Sequence, residues 1–105
     1  MGYIRVTAED FAQLEGLSDW RYAGEAISAE FSAGSFTAAA ALIVEMAGAA
    51  EAADHHPDID LRYPDLVLVG LSTHAMSGVT MHDVELARKI SKLSSGDSNE
   101  LPPPP

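Results

Sequence analysis

The sequence predicts an α+β domain in the order α-β-β-α-β-β-α, with helices on one face of an antiparallel sheet. Capping residues ahead of apolar positions at helical spacing predict the helices. Short runs in which apolar and polar residues alternate around turns predict paired strands. The chain has 105 residues, of which 47% are hydrophobic and 21% charged, and this is typical of one globular domain.

A short helix and a hairpin are predicted first. Thr7 is a candidate N-cap with Asp10 in a capping-box position, and we expect this helix to end near Gly16. Alternation then predicts two strands, Ser18–Tyr22 and Ala26–Phe31, on either side of a tight turn.

A long alanine-rich helix follows, capped by Ser35 and running to about Ala53. Pro57 disfavours helical geometry at the residue before it, so the helix is expected to end at about Asp54 or His55. Helical spacing predicts a core face made of Phe36, Ala40, Ile43, Ala47 and Ala50.

Two strands and a third helix complete the domain. Asp58–Arg62 and Leu66–Thr73 are the strand candidates, and the second is apolar on both faces, which fits a cover of helices on one side and a partner subunit on the other. Thr80 is the N-cap of the last helix, with Asp83 at N3. Its core face is predicted as Leu86, Ala87, Ile90 and Leu93. We expect one domain over residues 1–93 and a disordered polar, proline-ended tail over residues 94–105.

Charge and composition exclude several classes of function. The net charge of −10, with six Lys and Arg, leaves no basic stripe for nucleic acid. The longest apolar run, Ala38–Val44, is too short for a membrane span, and residues 1–14 lack the pattern of a signal peptide. Without cysteine the chain has no thiolate metal site. We therefore expect a cytoplasmic protein with no nucleic-acid or membrane partner.

The candidate site centres on His55, His56 and Pro57, together with His74 at the end of the long strand. Histidine is the side chain whose unperturbed pKa lies near neutrality, so these rings are candidates for acid–base chemistry. Glu51 lies four residues before His55 and could orient that ring if the helix extends so far. A solvated surface pair is an equally good interpretation of Glu51.

Asp83 has two interpretations. It is the expected capping partner in the last helix, and a carboxylate close to His74 could also orient that imidazole. His82 is expected to be exposed at N2 of the helix, with no assigned role. A metal site built from these histidines and carboxylates is less favoured, because no His-x-His or His-x-x-x-His spacing places two ligands on one element.

Taken together, these blocks resemble the pterin-4a-carbinolamine dehydratases. The matching blocks are Glu51-x-x-Asp54-His55-His56-Pro57, then Ser72-Thr73-His74, then Gly78-Val79-Thr80 leading into Asp83. The resemblance covers about Phe11 to Leu93. This chain has Ile59 where animal-type members carry an aromatic residue.

The resemblance implies a four-stranded antiparallel sheet with three helices on one face, assembly into homodimers or homotetramers, and no metal or organic cofactor. It implies dehydration of a 4a-hydroxytetrahydropterin to the quinonoid dihydropterin in pterin recycling, a hydro-lyase activity. By resemblance, His55 and His74 are the acid–base candidates, with Asp83 and Glu51 orienting the rings. The substrate would be contacted by His56, Pro57, Ser72 and Thr73.

Two alternatives remain open at this point. Members of this family also serve as dimerisation partners and assembly helpers, so the same scaffold could be a non-catalytic binding module. Ile59 suggests a third possibility, a dehydratase for a substrate other than a pterin.

Overall fold

The computed structural model describes residues 2–95, and its elements follow the predicted α-β-β-α-β-β-α order. The helices are α1 (Ala8–Gln13), α2 (Phe36–Ala53) and α3 (Met81–Ser94), and the strands are β1 (Arg21–Ala23), β2 (Ala26–Ser32), β3 (Asp58–Arg62) and β4 (Leu66–Leu71). The fold class is confirmed. Ser94 of the predicted tail still belongs to α3, and residues 96–105 lie outside the described residues.

The four strands form one antiparallel sheet in the order β1-β2-β4-β3. Its inner face carries alternate apolar residues that are buried or half-buried: Tyr22, Ile27, Ala29, Phe31, Ile59, Leu61, Val67, Val69 and Leu71. The outer face is mostly polar and exposed, although Leu66 and Leu68 are half-buried there. This division follows from the period of two along a strand, and it leaves one face for the helices.

Local capping chemistry defines the helix starts, as predicted. Thr7 and Asp10 form a reciprocal capping box at α1, and Thr80 and Asp83 form another at α3. The side chain of Ser35 accepts a hydrogen bond from the backbone N–H of Ala38 at the start of α2 (3.0 Å). These bonds occupy backbone donors that a helix start would otherwise leave without a partner.

The predicted core face of α2 is wrong by about one residue at most positions, although the predicted Ile43 packs half-buried against the core. The buried positions are Ala39, Leu42, Met46 and Ala50, of which only Ala50 was predicted. Phe36 is 53% exposed, and Ala40 and Ala47 are exposed too. The helix is apolar on nearly every side, so helical spacing in the sequence matches more than one face. Packing against α3, β3 and β4 decides which of them is buried.

By length and composition, α2 is the one helix within residues 2–95 that could cross a membrane, with a mean hydropathy of 1.4. Core helices of globular domains satisfy the same criteria. Glu45 lies at the middle of α2, where a charge would be costly in a bilayer, and one side of the helix packs on the sheet. We interpret α2 as a core helix with a surplus of apolar surface.

The end of β4 also differs from the prediction. The strand ends at Leu71, not Thr73, and His74 begins a short 3-10 helix, His74–Met76. The cause is a local turn: Thr73 pairs with Gly78 through backbone hydrogen bonds in both directions, of 2.8 and 3.4 Å. These bonds fold residues 73–78 into a closed loop that presents His74.

Candidate functional site

The end of α2 sets the position of His55. Asp54 is the C-cap in the left-handed conformation (φ 52°), so the chain leaves the helix there. The backbone N–H of His55 donates to the carbonyl of Ala50 at 3.1 Å. The ring of His55 is largely buried, with 11% of the side chain exposed.

The carboxylate of Asp83 connects His55 to the start of α3. Asp83 is 0% exposed, and its Oδ1 lies 2.5 Å from Nε2 of His55. Its Oδ2 accepts from the hydroxyl of Thr73 at 2.8 Å and from the backbone N–H of Thr80 at 2.9 Å. A buried carboxylate needs several donors to compensate for its lost hydration, and these three groups supply them.

The hydroxyls of this network have a consistent direction. Because Thr73 donates to Asp83, its oxygen accepts from the hydroxyl of Thr80 (2.8 Å), which in turn accepts from the backbone N–H of His82 (3.2 Å). An ionised carboxylate can only accept a hydrogen bond, so a bond from His55 to such a carboxylate places the proton on Nε2. In that tautomer Nδ1 is the ring nitrogen of His55 without a proton.

Two predicted pairings are replaced by others. One interpretation placed Asp83 beside His74, but the carboxylate contacts His55, on the other histidine-bearing segment. One interpretation paired Glu51 with His55, but the carboxylate lies 2.7 Å from Nε2 of His56. Since α2 ends at Ala53, His55 leaves the helix face that Glu51 occupies. The Glu51–His56 pair is exposed, with 76% and 56% of the two side chains accessible.

Thr73 connects the end of β4 to the Asp83 network. Thr73 is buried, and His74, the next residue, is exposed at the start of the 3-10 helix. Ser72 and Pro57 are half-buried. Hydrogen bonds therefore connect His55, Asp83 and Thr73 directly. His74 is connected to them as the residue that follows Thr73 in the chain.

His82 is the residue that the sequence interpretation missed. Its side chain is exposed, but its ring centroid lies 5.9 Å from that of His55 and 4.9 Å from that of Tyr3, with both rings edge-on. The spacing from Thr80 and Asp83 placed His82 correctly on the helix. The sequence signal for His82 was its position inside the Thr80–Asp83 capping box, directly before the carboxylate.

Two concave regions flank these elements. One, of about 300 Å³, lies between α2 and α3 and is lined by His55, His82 and Lys89 among others. The other, of about 530 Å³, lies on the outer face of the sheet around Asp58, Asp60 and Gly70. None of the predicted site residues lines the larger one, and His55 is the predicted site residue that lines the smaller.

Ile59 lies on the inner face of β3, opposite Val69, and packs half-buried against the core. Within residues 2–95, no group of three or more His, Asp or Glu side chains is arranged to hold a metal ion. The described site is thus made of imidazoles, one buried carboxylate and threonine hydroxyls.

Comparison with known proteins places this arrangement in a family. Residues 5–93 match the family described as pterin 4 alpha carbinolamine dehydratase. A protein of Nocardia farcinica named "Putative pterin-4-alpha-carbinolamine dehydratase" is 47% identical over 81 residues, covering 77% of this chain and 84% of that protein. A protein of the same name from Roseiflexus castenholzii is 42% identical over 86 residues, covering 82% and 91%.

Two solved structures share the fold. A transcriptional coactivator/pterin dehydratase from Brucella melitensis superimposes with a TM-score of 0.78 at 32% identity, covering 86% of this chain and 98% of that one. A pterin dehydratase-like protein identified as a RuBisCO assembly factor superimposes with a TM-score of 0.62 at 20% identity, covering 72% and 89%. The second likeness concerns the fold alone.

Proposed function

Because this chain belongs to the pterin 4 alpha carbinolamine dehydratase family, we propose that it converts a 4a-hydroxytetrahydropterin into the quinonoid dihydropterin and water. In this reaction the C4a–O bond breaks and a ring nitrogen loses a proton. One group must therefore protonate the departing hydroxyl, and another must accept the nitrogen-bound proton. The reaction is a step of pterin recycling and uses no cofactor in this proposal.

The observation that carries the proposal is the buried Asp83, which hydrogen-bonds His55 and Thr73 at once. It holds His55 in one orientation and compensates the positive charge when that ring is protonated. Nδ1 of His55 then serves as one proton-transfer group. His74, the chain neighbour of Thr73, serves as the other.

The remaining predicted residues line the substrate in this proposal. The hydrogen-bonded pair of Glu51 and His56 forms an exposed wall, and Pro57 keeps the backbone between His56 and β3 rigid. Ser72 and Thr73 offer backbone groups beside His74. We assign substrate contact to these residues and proton transfer to the two histidines.

The test is a dehydration assay with enzymatically generated 4a-carbinolamine. His55→Ala and His74→Ala should each lower kcat at least roughly 100-fold, the usual range for loss of a positioned acid or base. Tyr63→Ala, which removes a ring that is 88% exposed on the β3–β4 turn, should leave kcat unchanged. Full activity in both histidine variants would remove the proposed roles.

We also propose that the protein forms a homodimer or homotetramer. The support is an apolar stripe on the outer side of α2, made of Phe36, Ala40, Val44 and Ala47, in which Phe36 is 53% and Val44 70% exposed. Small alanines allow a second helix to approach closely, and the same stripe on a second copy is its natural complement. A cytoplasmic location is part of the proposal, and the net charge of −10 favours solubility there.

The same stripe favours a second candidate function, a non-catalytic assembly module. The Brucella melitensis protein is described as both a transcriptional coactivator and a pterin dehydratase. Recovery of a stoichiometric partner by the purified chain, together with no dehydration of 4a-carbinolamine, would favour the module over the enzyme.

A further inference from the structure

The N-terminal segment Tyr3–Val6 contacts the loop that bears His74 and, on α3, the ring of His82, which lies beside His55. We propose that this segment positions His55 and His74 and that Arg5 is the positioning residue for the His74 loop, a role that rests on the proposed acid–base function of the two rings. Neither Tyr3 nor Arg5 belongs to the histidine blocks, and the family match begins only at residue 5.

Backbone bonds fix the segment to the start of α3. The N–H of Val6 donates to the carbonyl of Val79, and the N–H of Met81 donates to that of Ile4, each at 2.9 Å. Val6 is buried, and its carbonyl also accepts from the hydroxyl of Tyr22 at 2.7 Å. The segment is therefore a paired strand-like strap and not a free end.

The side chain of Arg5 reaches the loop that carries His74. Nη2 of Arg5 donates to the carbonyl of Met76 at 2.9 Å, and Met76 is the last residue of the 3-10 helix that His74 begins. On the way the guanidinium passes directly over Gly78: a Cβ added there would lie 2.7 Å from Nη1 of Arg5. A side chain at position 78 would therefore displace the guanidinium from this path.

The hydrogen bond from Arg5 to Met76 holds the outer part of the loop of residues 73–78. Thr73 and Gly78 pair at the base, and Ser77 N–H donates to the carbonyl of His74 at 3.1 Å within the loop. Among residues 2–95, the His74 ring makes no side-chain hydrogen bond that would fix it. Its position therefore follows the backbone of the loop, which Arg5 anchors.

The other end of the strap contacts His82, which lies beside His55. The ring of Tyr3 lies edge-on against His82 with centroids 4.9 Å apart, and His82 lies edge-on against His55 at 5.9 Å. Edge-to-face contacts of this kind favour one relative orientation of the rings. One segment of four residues thus contacts the surroundings of both proposed proton-transfer groups.

The Arg5–Gly78 approach provides a test by double substitution. Arg5→Ala removes the anchor, and Gly78→Ala keeps the arginine but places a methyl group where the guanidinium passes. Each variant should lower kcat for dehydration of 4a-carbinolamine roughly tenfold with a smaller change in KM, because small displacements of a reacting group are costly. Arg5→Lys, which keeps the charge and one donor, should recover part of the rate.

The double variant distinguishes loss of the Arg5 contact from general damage to the folded protein. Once Arg5 is shortened, the next contact of an added Cβ at position 78 is the carbonyl of Met76 at an ordinary 3.7 Å. Adding Gly78→Ala to Arg5→Ala should therefore cost nothing further. Arg62→Ala, an exposed arginine on β3, controls for the lost charge and should match the parent.

The NMR signals of the His74 ring report the effect of the Arg5 contact without an activity assay. Arg5→Ala and Gly78→Ala should move these signals, and Arg62→Ala should not. If the parent fails to dehydrate the pterin, the proposed function fails, while the ring signals still test whether Arg5 positions the His74 loop. Unmoved His74 signals in Arg5→Ala, or additive losses in the double variant, would overturn the positioning role of Arg5.

Discussion

At the scale of single residues, Asp83 performs two tasks with one carboxylate. It completes the capping box of α3 by accepting from Thr80 N–H, and it holds the ring of His55. The capping role could be predicted from four consecutive residues, because the chemistry is local. The pairing with His55 could not, since those residues lie 28 positions apart and meet only through the packing of α2 on α3.

Asp83→Asn tests the second task. The amide oxygen can still accept from Thr73 and Thr80, but its NH₂ group then faces Nε2 of His55, which must give up its proton to accept. We expect His55 to change tautomer and kcat to fall roughly 100-fold while the protein stays folded. The ¹⁵N shifts of the ring report the tautomer. Glu45→Gln, the same chemical change on the exposed side of α2, should leave both unchanged.

At the scale of elements, the turn between β3 and β4 anchors the turn that follows β2. The hydroxyl of Ser32 donates to Oδ2 of Asp65 at 2.6 Å, and the N–H of Gly34 donates to the same oxygen at 2.8 Å. The Ser32 hydroxyl, followed by the Gly34 amide, lowers the pKa of the Asp65 carboxyl below its ordinary value. These bonds align the start of α2 with the sheet.

A pH dependence follows from that lowered pKa. Asp65 binds its proton less readily in the folded chain, so its stabilisation is present above the ordinary pKa of aspartate and is lost as pH falls through the lowered one. Asp65→Asn should lower Tm at pH 7, and the difference from the parent should vanish at strongly acidic pH. Asp60→Asn on β3 is the matched control, and a difference independent of pH would contradict this account.

Element types were predictable, but not every burial pattern was. Strand β2 alternates cleanly, so its inner face could be read from the sequence. Strand β4 is apolar on both faces, and packing of the helices selects Val67 and Val69 as its buried side. Helix α2 offers no such contrast because alanine and larger apolar residues surround it. The predicted apolar stripe through Phe36, Ala40 and Ala47 is present on α2, but it faces away from the core and is exposed.

At the scale of the whole molecule, that outer stripe is the surface through which we expect copies to associate. Val44→Glu places a charge at its centre and should shift the protein toward monomer, seen as a lower mass in light scattering after gel filtration. Tyr63→Ser alters an equally exposed ring on another element and should not change the mass. A parent that is already monomeric at high concentration would rule out the association.

The apolar character of α2 also has a consequence during synthesis on the ribosome. The helix precedes β3, β4 and α3 in the chain, so it emerges before the elements that cover its buried side. For that interval the nascent chain exposes an 18-residue helix that satisfies the length and composition of a membrane span. Burial of the inner side of α2 must therefore wait until the second half of the chain has been synthesised.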